Sequence, residues 1–385
     1  MIWVSLSVLL ASTVAVPPAP PLQRSFEQIS RQAEEARSAD RLPDAIRFYR
    51  EGVKLRPSWS EGWWGLGSIL YEQDRFPEAV EAFSQFVATS KKEVAPAYAF
   101  LGLCEYETRD YRKATEHLST WVQKGMPGNV QLIEVASFHW ALLLTRGGFF
   151  VQSLFLLEEK AKRYGVSPQV VEAMGLASLQ MRNLPEDCPP EKREMVWLAG
   201  QASVYGSLHD FDRAHEFAGR LASHYGNEPN VHYLHGNIYG FEQRTEEAGE
   251  EYRQELKLSP ENASAMIQLS FVDLLESRLD EAVPMARRAV ALLPKDPLSH
   301  YALGRVLLAS GEFQESVRHL ETAKELAPTS AKIRYQLSVA YRRLGRKADA
   351  ARESDAFEAM KDKNEILAAP DEKPQPNPKQ KAGIK

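Results

Sequence analysis

Five histidines fall between Ser207 and Gly236: His209, His215, His224, His232 and His235. The run His209-Asp210-Phe211-Asp212, followed by His215-Glu216, holds the residue types that ligate zinc. Its spacing matches no ligand motif. The pattern places His209 in a turn and His215 in the helix after it, where each reads more readily as a surface or half-buried structural side chain. Cys104 and Cys188 belong to no CxxC pair, so neither a zinc nor a thioredoxin-like site is supported. Cys104 falls inside a predicted helix and Cys188 in a proline-bounded loop about two repeats away. A disulfide needs Cα atoms about 6 Å apart, so a bond between them is not expected. The carboxylate pairs Glu34-Glu35 and Glu246-Glu247 lie on solvated helix faces. A catalytic carboxylate needs a cleft and a neighbour that shifts its pKa. No phosphate loop, GxSxG elbow, HExxH, EF-hand or dinucleotide fingerprint is found. The chain therefore reads as a non-enzyme with no cofactor.

What must position any site is a repeat. Small residues at Gly236, Ser270 and Gly304, a second set at Ala248, Ala282 and Ser316, and prolines at Pro260, Pro294 and Pro328 each advance by 34 residues. A period of ~34 is that of stacked helix–turn–helix units. In the middle unit Met266, Leu269, Leu274 and Leu275 form one apolar stripe, and Ala282, Ala286, Ala289 and Val290 form the next. Such a pair cannot bury its faces alone, so units share a continuous core. The small residues belong where the two helices cross, since overpacking there costs about 1–3 kcal/mol. The prolines lie just past the second helix. Asp296-Pro297 then opens the next helix with a capping acceptor and a first-turn proline.

Tyr301, Leu303, Gly304, Ala323 and Pro328, with Trp63, Leu66, Gly67, Ala79 and Phe83, resemble the tetratricopeptide repeat family. The resemblance runs from about Phe26 to about Phe357. It implies an all-α, right-handed superhelical solenoid that binds protein partners, with the first helix of each unit lining a concave face. On that face it places Trp64, Ser68, Tyr71, Tyr106, Phe138 and Leu142, then Tyr233, Asn237, Phe271, Tyr301, Arg305, Tyr335 and Arg342. Aromatic and arginine side chains of this kind dominate peptide-binding surfaces. The family's carboxylate clamp uses Lys, Asn and Arg at set inner-face positions, and the full set is not evident in this sequence.

Small residues at Ala33, Gly67, Gly102 and Ala141 mark four units, the fourth the most apolar, with Phe138, Trp140, Phe149, Phe150, Phe155 and Leu156. Gly175 follows in a good first helix, yet the next anchor, Ala202, comes early, and Asn183–Pro190 between them excludes a helix. This unit is read as having lost its second helix, leaving one helix unpaired. Residues 26–165 then form a first array, 166–190 the unpaired helix and loop, and 191–366 a second array. Residues 1–16 read as a secretory signal, 17–25 as a proline-rich linker and 367–385 as a disordered tail. A net charge of −5 argues against nucleic acid as a partner. After signal cleavage no membrane span is expected. The expected function is an exported scaffold, periplasmic or in the cell envelope, holding a peptide or protein in its groove and serving envelope assembly or secretion. The alternatives are a polysaccharide- or cell-wall-binding module, and a metal protein using the histidines at 209–235.

Overall fold

The computed structural model describes residues 25–91 and 94–367. The segments expected as signal, linker and tail fall outside these residues, apart from Ser25 and Leu367. The described chain is an all-α helical repeat solenoid, and none of its helices is long and apolar enough to cross a membrane.

The chain divides into two compact units, up to Trp140 and from Ala141 onward. The first unit holds the pairs α1 (Phe26–Ser38) and α2 (Leu42–Leu55), α3 (Ser60–Glu72) and α4 (Phe76–Thr89), and α5 (Ala95–Glu107) and α6 (Tyr111–Gln123). The boundary falls inside α7 (Val130–Gly147). The second unit continues with α8 (Phe150–Tyr164), α9 (Pro168–Ser178), α10 (Arg193–Ser207), α11 (Phe211–Tyr225), α12 (Val231–Phe241) and α13 (Thr245–Leu258). It ends with α14 (Ala263–Leu275), α15 (Leu279–Leu292), α16 (Pro297–Ser310), α17 (Phe313–Leu326), α18 (Ala331–Arg343) and α19 (Lys347–Leu367).

The small residues sit where the helices of a pair touch. A Cβ added at Gly67, Gly102, Gly236 or Gly304 would come within 3 Å of Phe83, Leu118, Tyr252 or Leu320 of the partner helix. Where the second small residue is serine, its hydroxyl uses the closeness. Ser153 Oγ donates to the Ala141 carbonyl at 2.8 Å, and Ser316 Oγ to the Gly304 carbonyl at 2.7 Å. Asp296 caps α16 by accepting from the Ser299 N–H at 2.7 Å, with Pro297 at the first helical position.

The turn inside each pair carries one left-handed residue, always seven past the first-helix anchor. These are Asp40, Asp74, Arg109, Gly148, His209, Gln243, Ser277, Gly311 and Gly345. A left-handed turn costs a non-glycine residue about 1–2 kcal/mol, least for short polar types. The chain meets that cost with Asp, Arg, His, Gln and Ser as well as glycine.

Between α9 and α10 the chain has no α-helix, and α9 packs directly against α10. After α9 the chain makes two short 3₁₀ turns, Pro185–Asp187 and Pro190–Lys192, and enters α10. Helices α9 and α10 pack as extensively as the two helices of a full repeat. Gly175 and Gly200 meet at the crossing, where an added Cβ would lie 1.9 Å from the Val196 or the Val171 carbonyl oxygen. Ser178 and Ser203 share a 2.6 Å hydrogen bond at the same 25-residue separation. A constant separation means that the helices run parallel, so the loop must carry the chain back along α9. Leu184 and Cys188 are buried in that loop, and Cys188 packs into the core shared by α10 and α11.

Candidate functional site

In the second unit a groove of about 300 Å³ is bounded by the α7–α8 turn and the start of α8 on one side. Residues of α9, α12, α14 and the start of α16 form the other walls. Phe149, Phe150, Val151 and Leu154 make an apolar lip, with Phe149 and Val151 each more than half exposed. Phe149 stands there because Gly148, at φ 86°, turns the chain sharply between α7 and α8. Opposite lie Leu298 and a set of neutral polar groups: Ser178, Gln180, Asn237, Ser264 and Gln268. The Tyr233 phenol sits among Asn237, Gln268 and Ser264. Burial raises its pKa, and those hydrogen-bonding neighbours oppose the rise. Tyr252, behind it, donates to Asn237 Oδ1 at 2.9 Å and so fixes that amide. Asp296 is the one charged side chain among the described lining residues. Burial pushes its carboxyl above the ordinary range against the pull of the Ser299 and Leu298 N–H groups. An apolar cleft with a few convergent polar groups is the usual form of a binding site.

A larger, open hollow in the first unit, about 520 Å³, is lined by Arg47, Arg50 and Arg75. Their charges are already met, Arg47 by Asp44 and both Arg50 and Arg75 by Glu78.

The side chains expected on an inner face divide between groove and core. Tyr233 and Asn237 line the groove. Tyr233 is only 8% exposed and packed in a core with Tyr252 and Leu269, so its removal would open a cavity as well as alter a surface. Phe271, Tyr301 and Arg305 come together beside the groove. The two rings meet edge-on at 6.1 Å, and the guanidinium lies 5.3 Å and 5.8 Å from their centres. Tyr335 is exposed against Phe357, and Arg342 donates to the Ser338 carbonyl and hydroxyl one turn back. In the first unit Trp64 packs against Phe83, Phe86 and Phe100, and Tyr71 against Phe76 and Phe100. Tyr106 is buried against Tyr111 and His139, which Phe138 also touches. All four rings are engaged in contacts with other rings. Sequence reasoning missed Phe149, Val151, Ser264, Gln268 and Leu298. Ser264, Gln268 and Phe271 share one helical stripe, so the polar half was within reach.

The histidines are engaged with carboxylates, with one another and with backbone carbonyls. His215 Nε2 lies 2.8 Å from Glu242 and its Nδ1 3.1 Å from His235 Nε2. His232 Nδ1 lies 2.6 Å from one oxygen of Glu251. His235 Nδ1 approaches the other oxygen at 3.0 Å without hydrogen-bond alignment. Burial would raise the Glu251 carboxyl, but the two imidazoles outweigh it and hold it down at about 2. His209 occupies the left-handed turn position, and exposed His224 bonds the Arg220 carbonyl. Among the described residues no three His, Cys, Asp or Glu side chains converge as ligands. Both cysteines are buried free thiols, and burial pushes Cys104 up to about 12.

The profile of the tetratricopeptide repeat matches residues 30–94, 229–262 and 301–359. No curated protein matches the chain. Solved structures similar to it include a MamA protein, at 18% identity and a TM-score of 0.39, covering 46% of this chain and 96% of that one. A second is MamA 41-end from Desulfovibrio magneticus RS-1, at 19% identity and 0.40, covering 44% and 96%. A third is YrrB, described as a TPR protein with an unusual peptide-binding site, at 22% identity and 0.37, covering 44% and 88%.

Proposed function

From the premise that the chain is a tetratricopeptide repeat protein, we propose that it is a non-enzymatic scaffold holding an extended peptide segment of a protein partner in the groove of its second unit. The observation that carries this reading is the pairing of an exposed apolar lip, Phe149 and Val151, with side-chain amides of Asn237 and Gln268 across one cleft. An extended backbone offers alternating donors and acceptors, and an amide side chain answers both. The walls are helices with fixed side chains, so little freedom is lost when a peptide is ordered on them. Asp296 caps a helix, which gives it a structural role. The setting we propose is outside the cytoplasm, in envelope assembly or secretion, on the apolar run at residues 1–16.

The test is a random displayed-peptide library panned on the full chain. Enriched peptides are then titrated against the wild type and against Phe149→Ala/Val151→Ala. Both changes remove exposed side chains, so the variant keeps the wild-type melt. The reading requires peptides whose affinity falls about tenfold or more in the variant, since losing two apolar anchors is worth at least 1.4 kcal/mol. Enriched peptides indifferent to these residues, or none at all, would end it.

A further inference from the structure

We propose that the groove selects segments in which a lysine or arginine stands beside a large apolar residue, the cation meeting Asp296 and the apolar side chain entering between Phe149, Val151 and Leu298. This rests on the peptide-binding reading above and narrows its partner class. The argument is charge complementarity within an otherwise neutral cleft. Asp296 is the sole charged side chain among the described lining residues, and the nearby cation, the Arg182 guanidinium, lies against Gly148 in the α7–α8 turn rather than beside Asp296. An acidic ligand group would meet an unbalanced like charge, and a basic one an opposite charge.

The carboxylate has capacity left. Its Oδ2 accepts from the Ser299 N–H at 2.7 Å, which uses part of a group that offers about four acceptor sites. The His300 imidazole turns both its ring nitrogens elsewhere. Its Nε2 faces the Pro294 carbonyl at 3.1 Å and its Nδ1 faces His319 at 3.0 Å. Lys295 is exposed and stands outside the groove lining. Burial has already pushed the Asp296 carboxyl upward. A bound ammonium or guanidinium reverses that shift, so the site and the cation stabilise each other.

The closing experiment uses the peptides enriched on the full chain, N-terminally acetylated, with their basic residue kept, changed to norleucine, or changed to Glu. The protein variant is Asp296→Asn, which keeps the helix cap because Asn caps as well as Asp. The expected result has four parts. Enriched peptides carry Lys or Arg next to an aliphatic or aromatic residue. Asp296→Asn weakens the basic peptide about tenfold, as for one charge-assisted bond at a half-exposed site. The norleucine peptide binds wild type and variant alike. Rising salt weakens only the basic peptide.

The inference is overturned if groove-dependent peptides show no basic preference, or if Asp296→Asn leaves the basic peptide unaffected. It is equally overturned if binding needs the free N-terminal amine instead of the side-chain cation. Groove dependence itself is read from Phe149→Ala/Val151→Ala. Loss of that dependence removes the parent reading, and its retention without charge selection removes this one alone.

Discussion

The sharpest consequence of the fold concerns Gly175. An alanine there would place its Cβ 1.9 Å from the Val196 carbonyl oxygen, and the reciprocal change at Gly200 would meet the Val171 carbonyl at the same distance. Ordinary contact lies near 3.5 Å, so α9 and α10 must part by roughly 1.5 Å. The obstacle is helix backbone, which cannot rotate away. Parting also stretches the 2.6 Å Ser178–Ser203 bond, worth about 1 kcal/mol, and opens space between buried Val171 and Val196. Overpacking costs about 1–3 kcal/mol and the upper end applies here. Alanine returns about 1 kcal/mol of helix propensity. The net is about 2–3 kcal/mol of destabilisation.

Two other glycines calibrate the claim. Gly219, mid-helix in α11, has nothing within 4 Å of an added Cβ, so Gly219→Ala should stabilise by about 1 kcal/mol. Gly304→Ala meets the Leu320 side chain at 2.6 Å, which can change rotamer, so its effect should fall between the other two. Urea melts followed by circular dichroism give the order, and hydrogen exchange in α9 and α10 localises it, since a repeat array need not melt as one unit. If Gly175→Ala proves as stable as Gly219→Ala, the close crossing is wrong, and with it the parallel pairing of α9 and α10.

The remaining predictions concern pH and export. His319 is pushed below the ordinary histidine pKa by burial and by His300 beside it. A lowered folded pKa means that the unfolded chain binds more protons, so stability is complete above about pH 6.5 and falls as the pH drops below it. His232 is raised by its bond to Glu251, so its contribution is complete below pH 6.5 and lost as the pH rises. Urea melts at pH 5.5 and 7.5 should show His319→Gln sparing the protein at low pH and His232→Gln harming it more there; equal effects at both pH values would contradict the assignment. Export predicts that the mature protein starts near Val16 when its N-terminus is sequenced, and a retained Met1 would count against it.

The pairing of helices was legible because small residues are demanded at every crossing. Gly67, Gly102, Gly236 and Gly304 carry that demand openly in their spacing. The left-handed turns were not legible, because Arg109, His209, Gln243 and Ser277 bear the same backbone demand without sharing a residue type. The break after Gly175 could be read from the prolines, but counting helices does not say which of them meet. The partnership of α9 with α10 rests on Gly175 and Gly200 facing one another, a relation with no fixed period. The groove was half legible. Tyr233 and Asn237 follow from the first-helix rule, whereas Phe149 and Val151 belong to a turn and a second helix, which that rule sets aside. The apolar character of this segment was the available signal.

The chemistry filling equivalent positions explains why one fold can respond unevenly along its length. Residues 19 apart, one on each helix of a pair, meet at the same place in successive repeats. His232 pairs there with Glu251, Met266 lies in one apolar cluster with Met285, His300 faces His319, and Arg334 bonds buried Glu353. The backbone slot is constant, yet its occupants are an ion pair, an apolar contact, an imidazole pair and a buried salt bridge. The His300 Nε2 faces a carbonyl, which only accepts, so it carries the proton. Burial and the His300 ring 3.0 Å away hold the His319 imidazole below its ordinary pKa, so this pair resists a further proton. The ion pair at His232 gains from the proton that this pair rejects. Solenoid stability is a sum of repeat and neighbour terms, so the difference stays local. Acid should therefore weaken the pair that begins with Asp296 and Leu298 while leaving the pair that carries Tyr233 and Asn237 intact, although both supply walls of one groove.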